Sequence, residues 1–412
     1  MPDAMPDATP DALPDALPDA LPDALPDALP DATPAPSRAD AGRPAALTDP
    51  LGPPTGITPS APCRPLIVIG AGALGGHVAV RLARAGVAVA LLARPVQARA
   101  IEASGLCLVE AGRAQAITVS VFDRIDALPW AAARAVLVCV KSGDTATTAR
   151  ALAPWLPPGV PVLSLQNGVD NARVLAEALP DAPLLVGLAY LAAASPRPGV
   201  VEHHGGGTLV LAPATPMAEN PAGHEAENEA ENKAEPARPG APPPVPVALA
   251  DLGAALTAAG YTVQTVADAR PALWRKLLVN GCCNAVSALA QADYAQMAAL
   301  APVRELLDAL LDEGLAVARA EGVALDADEL RAAVARIAQT MPQQRSSTAQ
   351  DLARGRPSEI DHLNGHLVAR GRALGVPTPS HRAVWALVRL VESVQAAARP
   401  AHAAAHSVAP AR

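Results

Sequence analysis

Residues 66–92 read LIVIGAGALGGHVAVRLARAGVAVALL, and this stretch decides the fold. Its first four residues are all apolar, which is typical of a strand buried on both faces of a parallel sheet. The pattern predicts a strand over 66–69, a helix over 73–85 and a second strand over 87–92. A G-x-G-x-x-G motif lies between the first strand and the helix, the position that a dinucleotide-binding fingerprint requires.

Each glycine of this motif has a separate physical task. Gly70 permits the tight turn, Gly72 lets the backbone approach a pyrophosphate, and Gly75 lets the helix lie close to the strand. The amino-terminal end of the helix then faces the phosphates. The cofactor-binding residues predicted in this turn are Gly70, Ala71, Gly72, Ala73, Leu74 and Gly75.

The end of the second strand indicates which dinucleotide binds. NAD-binding versions usually place an acidic residue there to hold the ribose hydroxyls. No acidic residue occurs between Gly86 and Arg99, and Arg94 stands at the strand end instead. Because a guanidinium suits a 2′-phosphate, the sequence predicts NADP, with a solvated surface arginine as the alternative.

Two further apolar runs each lead into a polar residue. Residues 135–140 precede Lys141, and residues 161–165 precede Asn167 within the sequence QNG. Ligands bind at the carboxyl edge of such sheets, so Lys141 and Asn167 are predicted to border a cleft for nicotinamide and substrate. Taken alone, Lys141 reads equally well as a solvated strand-end lysine.

The rest of the amino-terminal half continues this alternation. Its pattern predicts strands at 184–194, 207–212 and 261–266 and a helix at 247–259. The fold class that follows is α/β, with a Rossmann-type doubly wound sheet as an NADP-binding domain over residues 63–268.

Beyond this point the pattern is helical and predicts an all-helical domain over residues 269–396. The stretch 274–289, WRKLLVNGCCNAVSAL, is apolar apart from one polar stripe of Lys276, Asn280 and Asn284. Their i, i+4, i+8 spacing places all three near one helix face. Because such groups are costly to bury without partners, we expect the stripe to face a cleft where the two domains meet.

Three segments lie outside these domains. Residues 1–62 begin with a tetrapeptide repeat ending in PDA, whose regular prolines block helices and strands, so we expect disorder. A partner-binding arm is the alternative to simple repeat expansion. Residues 213–246 are rich in Glu, Ala and Pro and are predicted to be an exposed insertion, and residues 397–412 a disordered tail.

The composition excludes several classes of protein. The net charge of the 412 residues is −8, and eight Asp in the first 32 residues account for it, so no basic face for nucleic acid is expected. No apolar run is long enough for a membrane span, and the acidic amino terminus resembles no secretory signal. Five cysteines and no His/Cys cluster with metal-ligand spacing suit a reducing compartment, so a cytoplasmic location is expected.

Taken together, these motifs resemble the ketopantoate reductase (2-dehydropantoate 2-reductase) family. The resemblance runs from about residue 66 to residue 392 and rests mainly on the two helical motifs, which are more specific than the glycine turn. The motifs are GAGALGG, Arg94, VKS with Lys141, LQNG with Asn167, LWRKLLVNGCCNAVSAL, and SSTAQDLARGRPSEIDHLNG.

The resemblance implies NADPH-dependent reduction of a small 2-keto acid, 2-dehydropantoate, to (R)-pantoate on the route to pantothenate and coenzyme A. It implies that Lys276 is the general acid, and that Asn280 and Asn284 bind the substrate. Ser347 is expected at the substrate carboxylate, and Glu359 is expected to bind substrate and to take part in catalysis.

The same resemblance places Lys141 and Asn167 near the nicotinamide, with Asn167 also touching substrate. One departure is the sequence at 291–294, QADY, where some family members carry a further asparagine. Two alternatives stay open: a paralogue that reduces another 2-keto acid, and a non-catalytic NADP-binding regulator. A monomer or a homodimer is expected.

Overall fold

The computed structural model of the protein describes residues 64–214 and 245–398. The predictions made for residues 1–62, for most of the 213–246 insertion and for nearly all of the 397–412 tail lie outside these ranges. Within them, no helix is both long and apolar enough to cross a membrane.

The amino-terminal part combines one large sheet with five α-helices in the described residues. The strands are β1 (Leu66–Ile69), β2 (Val89–Leu92), β3 (Leu106–Glu110), β4 (Arg113–Ile117), β5 (Ser120–Phe122), β6 (Ala135–Val138), β7 (Val162–Ser164), β8 (Leu184–Ala194), β9 (Val200–Pro213) and β10 (Thr262–Thr265). The helices are α1 (Ala73–Arg84), α2 (Pro95–Ser104), α3 (Thr145–Leu152), α4 (Asn171–Ala178) and α5 (Val245–Ala258).

The sheet is mixed, with a parallel centre. Its order is β4-β3-β9-β8-β7-β6-β1-β2-β5, and β10 pairs with β9 outside this path. All neighbours from β5 to β8 run parallel, whereas β9 runs antiparallel to β8 and β4 antiparallel to β3. Because Val138 is opposite Ser164, the chain leaves β6 and β7 side by side at their carboxyl ends.

Both faces of the parallel centre are covered, as a doubly wound sheet requires. Leu66 and Val68 of β1 belong to one core, which also holds apolar residues of α1, α2 and α5. Ile67 and Ile69 point the other way, into a core shared with α3 and α4. The alternation of side chains along a strand thus explains why all four residues of β1 are buried. The predicted fold class is confirmed.

Three strands of the sheet were not predicted from sequence, and a fourth is longer than predicted. The strands β3, β4 and β5 were not predicted, and β9 begins at Val200 rather than at residue 207. Three of the five residues of β4 are exposed, so it lacks an apolar pattern. The first half of β9 contains the polar and glycine-rich sequence EHHGGG, and its pairing with β8 is broken by two irregularities of register. Tertiary pairing overrides weak strand propensity in both places.

The carboxyl-terminal part contains seven α-helices in the described residues and has its own core. They are α6 (Arg270–Ala290), α7 (Tyr294–Ala299), α8 (Ala301–Ala320), α9 (Ala327–Thr340), α10 (Ser347–Ala353), α11 (Asn364–Leu374) and α12 (Pro379–Ala397). The exact predicted limits of the two domains stay a prediction. A short 3₁₀ turn, Ile360–His362, precedes α11.

Helix α6 lies at the centre of this part, against α8, α10 and α12. Pro271 lies in its first turn, where a missing amide costs nothing, and Gln291 ends it in the left-handed conformation with φ of 51°. The paired thiols of Cys282 and Cys283 are buried in the helical core, as the packing interpretation of this pair expects. The polar stripe predicted on α6 therefore lies on a helix whose other faces are packed.

Candidate active site

The glycine turn between β1 and α1 has the shape that its sequence predicts. Gly70 has a φ of +104°, which L side chains rarely adopt, and a Cβ added at Gly75 would lie 1.9 Å from the carbonyl oxygen of Gly70. A Cβ at Gly72 would instead meet no atom within 4 Å. Two of the glycines are therefore required by packing, whereas Gly72 leaves open space in front of α1.

The amino terminus of α1 borders that open space. Gly72 is its N-cap residue and no side chain caps the helix. The first amide groups of a helix lack intrahelical partners and carry a partial positive charge, so they form an anion site. Of the other predicted turn residues, Ala71 is buried, and Ala73 and Leu74 are partly exposed. This geometry fits a dinucleotide pyrophosphate.

Arg94 lies at the carboxyl end of β2, next to the glycine turn. The glycine turn and the end of β2 are joined by the hydrogen bond from Gly70 N–H to Leu92 O, at 3.0 Å. Arg94 is exposed and is the N-cap residue of α2. Within residues 64–214 and 245–398 its guanidinium has neither a hydrogen bond nor an ion pair. It is therefore available to an anionic group held in front of the turn.

Lys276 projects from α6 toward the sheet and joins the two parts of the chain. Its ammonium donates to the carbonyl oxygen of Ala189 in β8 at 2.7 Å and lies 5.7 Å from the ring centroid of Tyr190. Burial lowers the pKa of Lys276 to about 8, and the charge of Glu359 opposes that shift. A lysine with this pKa can both hold and release a proton near neutral pH.

The two asparagines of the stripe differ in their surroundings. Asn280 is partly exposed, and its side chain forms no hydrogen bond with any residue that the structure describes. Asn284 is buried, and its amide nitrogen lies 3.5 Å from the hydroxyl of Ser347, which is exposed at the start of α10. The stripe therefore presents one unengaged amide and one amide aimed at the predicted serine.

Glu359 is held by the amino-terminal part of the chain. Its Oε1 accepts from the backbone amide of Ser142 at 3.0 Å, and its Oε2 accepts from the Asn167 side chain at 3.2 Å. The Ser142 hydroxyl in turn donates to Asn167 O at 2.6 Å. The structure thus brings Asn167 and Glu359 together, while Glu359 and Lys276 interact through their charges without a direct ion pair.

Lys141 is engaged with the helical part of the chain. Its ammonium donates to Asp351 Oδ2 and to Pro357 O, both at 2.8 Å. The Lys141 side chain is 45% exposed and that of Asp351 17%. Burial raises the pKa of Asp351, with Lys141 opposing that shift. Lys141 is thus an exposed strand-end lysine that also bridges the two parts of the chain, and its predicted contact with the nicotinamide stays a prediction.

Ser142 and Ser346 near the site were not singled out from sequence, and Gln291 was noted only as part of the departure at 291–294. Ser142 positions Glu359, as described above. Ser346 caps α10 by accepting from Ala349 N–H at 3.1 Å, and its hydroxyl donates to Asn284 O at 3.1 Å. Gln291 donates to Ala349 O at 3.3 Å. The signal for Ser346 was a serine directly before a helix, which is a common N-cap position.

A small cavity lies beside the loop that follows β7. It measures about 170 Å³ and is bordered by Gly168, Asp170, His362 and His366. His366 Nδ1 lies 2.9 Å from Asp170 Oδ2, a further polar contact between the two parts of the chain. Lys276, Asn280, Asn284 and Glu359 do not border this cavity, so it is separate from the predicted substrate groups.

Comparison with known proteins places this geometry in a family. Residues 66–216 match the family model described as "Ketopantoate reductase PanE/ApbA", and residues 268–392 match its C-terminal counterpart. A 2-dehydropantoate 2-reductase of Halobacterium salinarum is 34% identical over 329 residues, covering 79% of this chain and 98% of that protein. The chain belongs to the ketopantoate reductase family. The predicted resemblance is confirmed.

Further ketopantoate reductases align over the same length. The 2-dehydropantoate 2-reductase of Vibrio cholerae is 26% identical and spans 79% of this chain and 97% of its own. A crystal structure of a PanE/ApbA family ketopantoate reductase from Ralstonia eutropha is 42% identical, with a TM-score of 0.68 over 80% of this chain and 99% of that one. The site described above therefore lies within the region shared with the family.

The same fold occurs in a more distant oxidoreductase. A D-mandelate dehydrogenase, solved with NADH and anilino(oxo)acetate, is 20% identical and has a TM-score of 0.67 over 80% of this chain. At that identity the similarity shows that the two proteins share a fold. It gives no information on substrate or cofactor.

Proposed function

We propose that this chain reduces 2-dehydropantoate to (R)-pantoate with NADPH, as a step of pantothenate and coenzyme A biosynthesis. The observation that supports this most directly is the position of Lys276. Its partly buried ammonium lies 2.7 Å from Ala189 O in the sheet, on the same α6 stripe as the unengaged Asn280. The chain aligns with nearly the whole length of relatives named 2-dehydropantoate 2-reductase. This similarity supports the choice of substrate.

The cofactor would be held by the glycine turn and by Arg94. The first amide groups of α1 would bind the pyrophosphate in the open space at Gly72. The D-mandelate dehydrogenase of the same fold holds NADH, so the fold alone does not distinguish NADH from NADPH. The exposed guanidinium of Arg94, which has no partner among residues 64–214 and 245–398, favours NADPH because it suits the 2′-phosphate. When bound, the reduced nicotinamide supplies the hydride to the keto carbon.

Lys276 would act as the general acid. Negative charge develops on the keto oxygen during reduction, and a positioned ammonium both stabilises that charge and supplies the proton. Its pKa of about 8 keeps most of the lysine protonated at neutral pH while making the proton easier to give up than from an ordinary lysine. Ala189 O fixes the direction of the ammonium before substrate arrives.

The remaining residues would orient the substrate. Asn280, Asn284 and Ser347 offer neutral donors on one side of the cleft, which suits a carboxylate and a hydroxyl without adding a second strong charge. Glu359 would bind substrate and sustain the charge of Lys276, while Asn167 and Ser142 N–H hold its carboxylate in place. The helical part would then be the substrate and catalytic domain, and the sheet the NADP domain.

One assay separates this proposal from the two alternatives. The purified full-length chain is mixed with NADPH and with 2-dehydropantoate or a panel of other 2-keto acids, and NADPH absorbance is followed. Turnover restricted to 2-dehydropantoate supports the proposal. Preference for another acid identifies a paralogue with a different substrate. Tight NADPH binding with no turnover of any acid identifies a non-catalytic regulator and overturns the proposal.

A further inference from the structure

Two histidines and one glutamate converge beneath α1, at a place that the proposed reaction does not use. His77 lies on α1, Glu110 ends β3, and His203 lies on β9. One ring nitrogen of each histidine and one carboxylate oxygen of Glu110 lie within 4.8 Å of one another. Glu110 and His203 are direct partners in the parallel pairing of β3 with β9, so their side chains share one face of the sheet. Helix α1 covers that face.

Each of the two imidazoles uses one ring nitrogen for a hydrogen bond to a residue outside the cluster. His77 Nδ1 lies 2.6 Å from the hydroxyl of Tyr261, and His203 Nε2 lies 3.1 Å from Gly206 O. The other nitrogen of His77, Nε2, is buried and has no partner among the described residues. The other nitrogen of His203, Nδ1, lies 3.2 Å from Glu110 Oε1.

This is the arrangement that metal-binding histidines usually show. Each ligating imidazole donates its second N–H to an oxygen, which fixes the tautomer and leaves a lone pair for the metal. With His77 donating to Tyr261 and His203 donating to Gly206, the remaining nitrogen of each ring carries a lone pair, and that of His203 lies beside Glu110. A lone pair facing a carboxylate oxygen at 3.2 Å calls for a positive charge between them, either a proton or a metal ion.

We propose that His77, Glu110 and His203 bind a first-row transition metal ion, with Zn²⁺ the best match, that fastens α1 to β3 and β9. Two imidazoles and one carboxylate are a ligand set for Zn²⁺, and a water completes the tetrahedron. His203 and Glu110 are 17% and 29% exposed, so an ion can enter from solvent.

The charges around the cluster select against hard cations. Glu110 also pairs with Arg81 at 3.2 Å and with Arg84 at 2.8 Å, so its negative charge is already balanced. Mg²⁺ and Ca²⁺ depend on carboxylate charge and oxygen ligands, whereas imidazole retains affinity for Zn²⁺ and its neighbours in the periodic table. We therefore expect saturable binding of Zn²⁺ and Co²⁺ and none of Mg²⁺.

The test is a calorimetric titration of the full chain with Zn²⁺, in a His402→Ala/His406→Ala background that removes the two tail histidines. One equivalent is expected. His203→Gln should weaken it at least tenfold, and His204→Gln should leave it unchanged, because His204 is 48% exposed and pairs with Glu202 instead. Tyr261→Phe keeps both imidazoles but removes an orienting oxygen, so it should weaken binding about tenfold.

A second readout identifies the ligands directly. Co²⁺ in a tetrahedral nitrogen and oxygen site gives visible absorption bands, which should appear with the full chain and disappear with His203→Gln. Absence of a saturable Zn²⁺ equivalent overturns the proposal, as does equal binding by His203→Gln and His204→Gln. If His203→Gln does not fold, judged by lost NADPH binding, Tyr261→Phe decides: unchanged Zn²⁺ affinity in that variant is also contrary to the proposal.

Discussion

The side-chain amide of Asn167 donates to Oε2 of Glu359 across 3.2 Å, although 192 positions separate the two residues in the chain. Asn167 follows β7 of the sheet, and Glu359 directly precedes the 3₁₀ turn of the helical part. The same carboxylate accepts from the backbone of Ser142. The site is therefore assembled only where the two parts meet, and its geometry depends on their docking.

Replacing Lys276 with Met should remove most turnover. Methionine keeps an unbranched apolar stem but has no proton to donate, so kcat should fall by about 10²–10⁴-fold, the usual contribution of a general acid. The dissociation constant for NADPH, measured by fluorescence titration, should change little. Lys233→Ala, which removes a lysine from the acidic insertion, is the matched control. Turnover within a few-fold of the unaltered chain would rule out Lys276 as the acid.

The rate of keto-acid reduction should fall as pH rises through about 8. Lys276 has a pKa of about 8 and donates only when protonated, so the loss is on the alkaline side. Because the charge of Glu359 raises this pKa, Glu359→Gln should move the alkaline limb of kcat/KM to lower pH. Asp361→Asn changes a nearby acid with a side chain 49% exposed and should leave the limb in place. If the alkaline limb of Glu359→Gln moved to higher pH, that result would contradict the assignment of this limb to Lys276.

Replacing Arg94 with Ala should weaken NADPH far more than NADH. A hydrogen bond to a charged group contributes about 1.5–3 kcal/mol, so the NADPH dissociation constant should rise about 10- to 100-fold. NADH, without the 2′-phosphate, should change about threefold or less. Arg113→Ala, an exposed arginine on β4, is the control for loss of surface charge. Equal losses for the two cofactors would show that Arg94 does not bind the phosphate.

Replacing Asn280 with Ala should raise the KM for the keto acid without destabilising the fold. Its side chain has no hydrogen-bond partner in the described residues, so thermal unfolding should occur at an unchanged temperature. Loss of one hydrogen bond to a charged substrate should raise KM about 10- to 100-fold. Asn364→Ala provides the contrast, because Asn364 is buried and bonded to Gly281 and His381. That variant should lose stability, and an unchanged KM in Asn280→Ala would exclude the substrate contact.

Two glycines of the turn should respond differently to alanine. Gly75→Ala places Cβ 1.9 Å from a backbone oxygen and should cost about 3 kcal/mol or more of unfolding free energy in urea. Gly72→Ala meets no neighbour and has extended backbone angles, so it should cost about 1 kcal/mol or less. Its methyl group should nevertheless weaken NADPH binding. Equal stability of the two variants would mean that α1 can move away from β1.

Elements with a strong local pattern were predictable from sequence. The apolar β1, the glycine turn and β8 were placed at or near their observed limits, because burial on two faces and the needs of a tight turn leave few alternatives. The polar stripe on α6 was predictable for the same reason, since helical spacing alone sets which residues share a face. Strands β4 and β5 were not, because edge strands with exposed residues are formed by pairing rather than by pattern. Strand β3 is internal and partly buried, and its short apolar run was missed.

The partners of the site residues were less accessible to sequence reasoning. Nothing in the local sequence around Lys141 names Asp351 as its partner, and nothing near Glu110 names His77. Both contacts depend on how helices pack against the sheet, and a shift of a few ångströms would abolish them. Residue types and spacing thus predicted which groups would belong to a site, and the fold determined which of them touch.

The pairing of β8 with β9 has a practical consequence. Ala214 N–H donates to Leu184 O at the beginning of β8, whereas Lys276 contacts Ala189, five residues further along. At about 3.3 Å per residue, the point where the chain departs at Ala214 is roughly 17 Å from that contact. A reporter or an affinity module spliced between residues 214 and 245 would therefore begin away from the reacting groups. This connection offers a route to label the protein at a distance from Lys276.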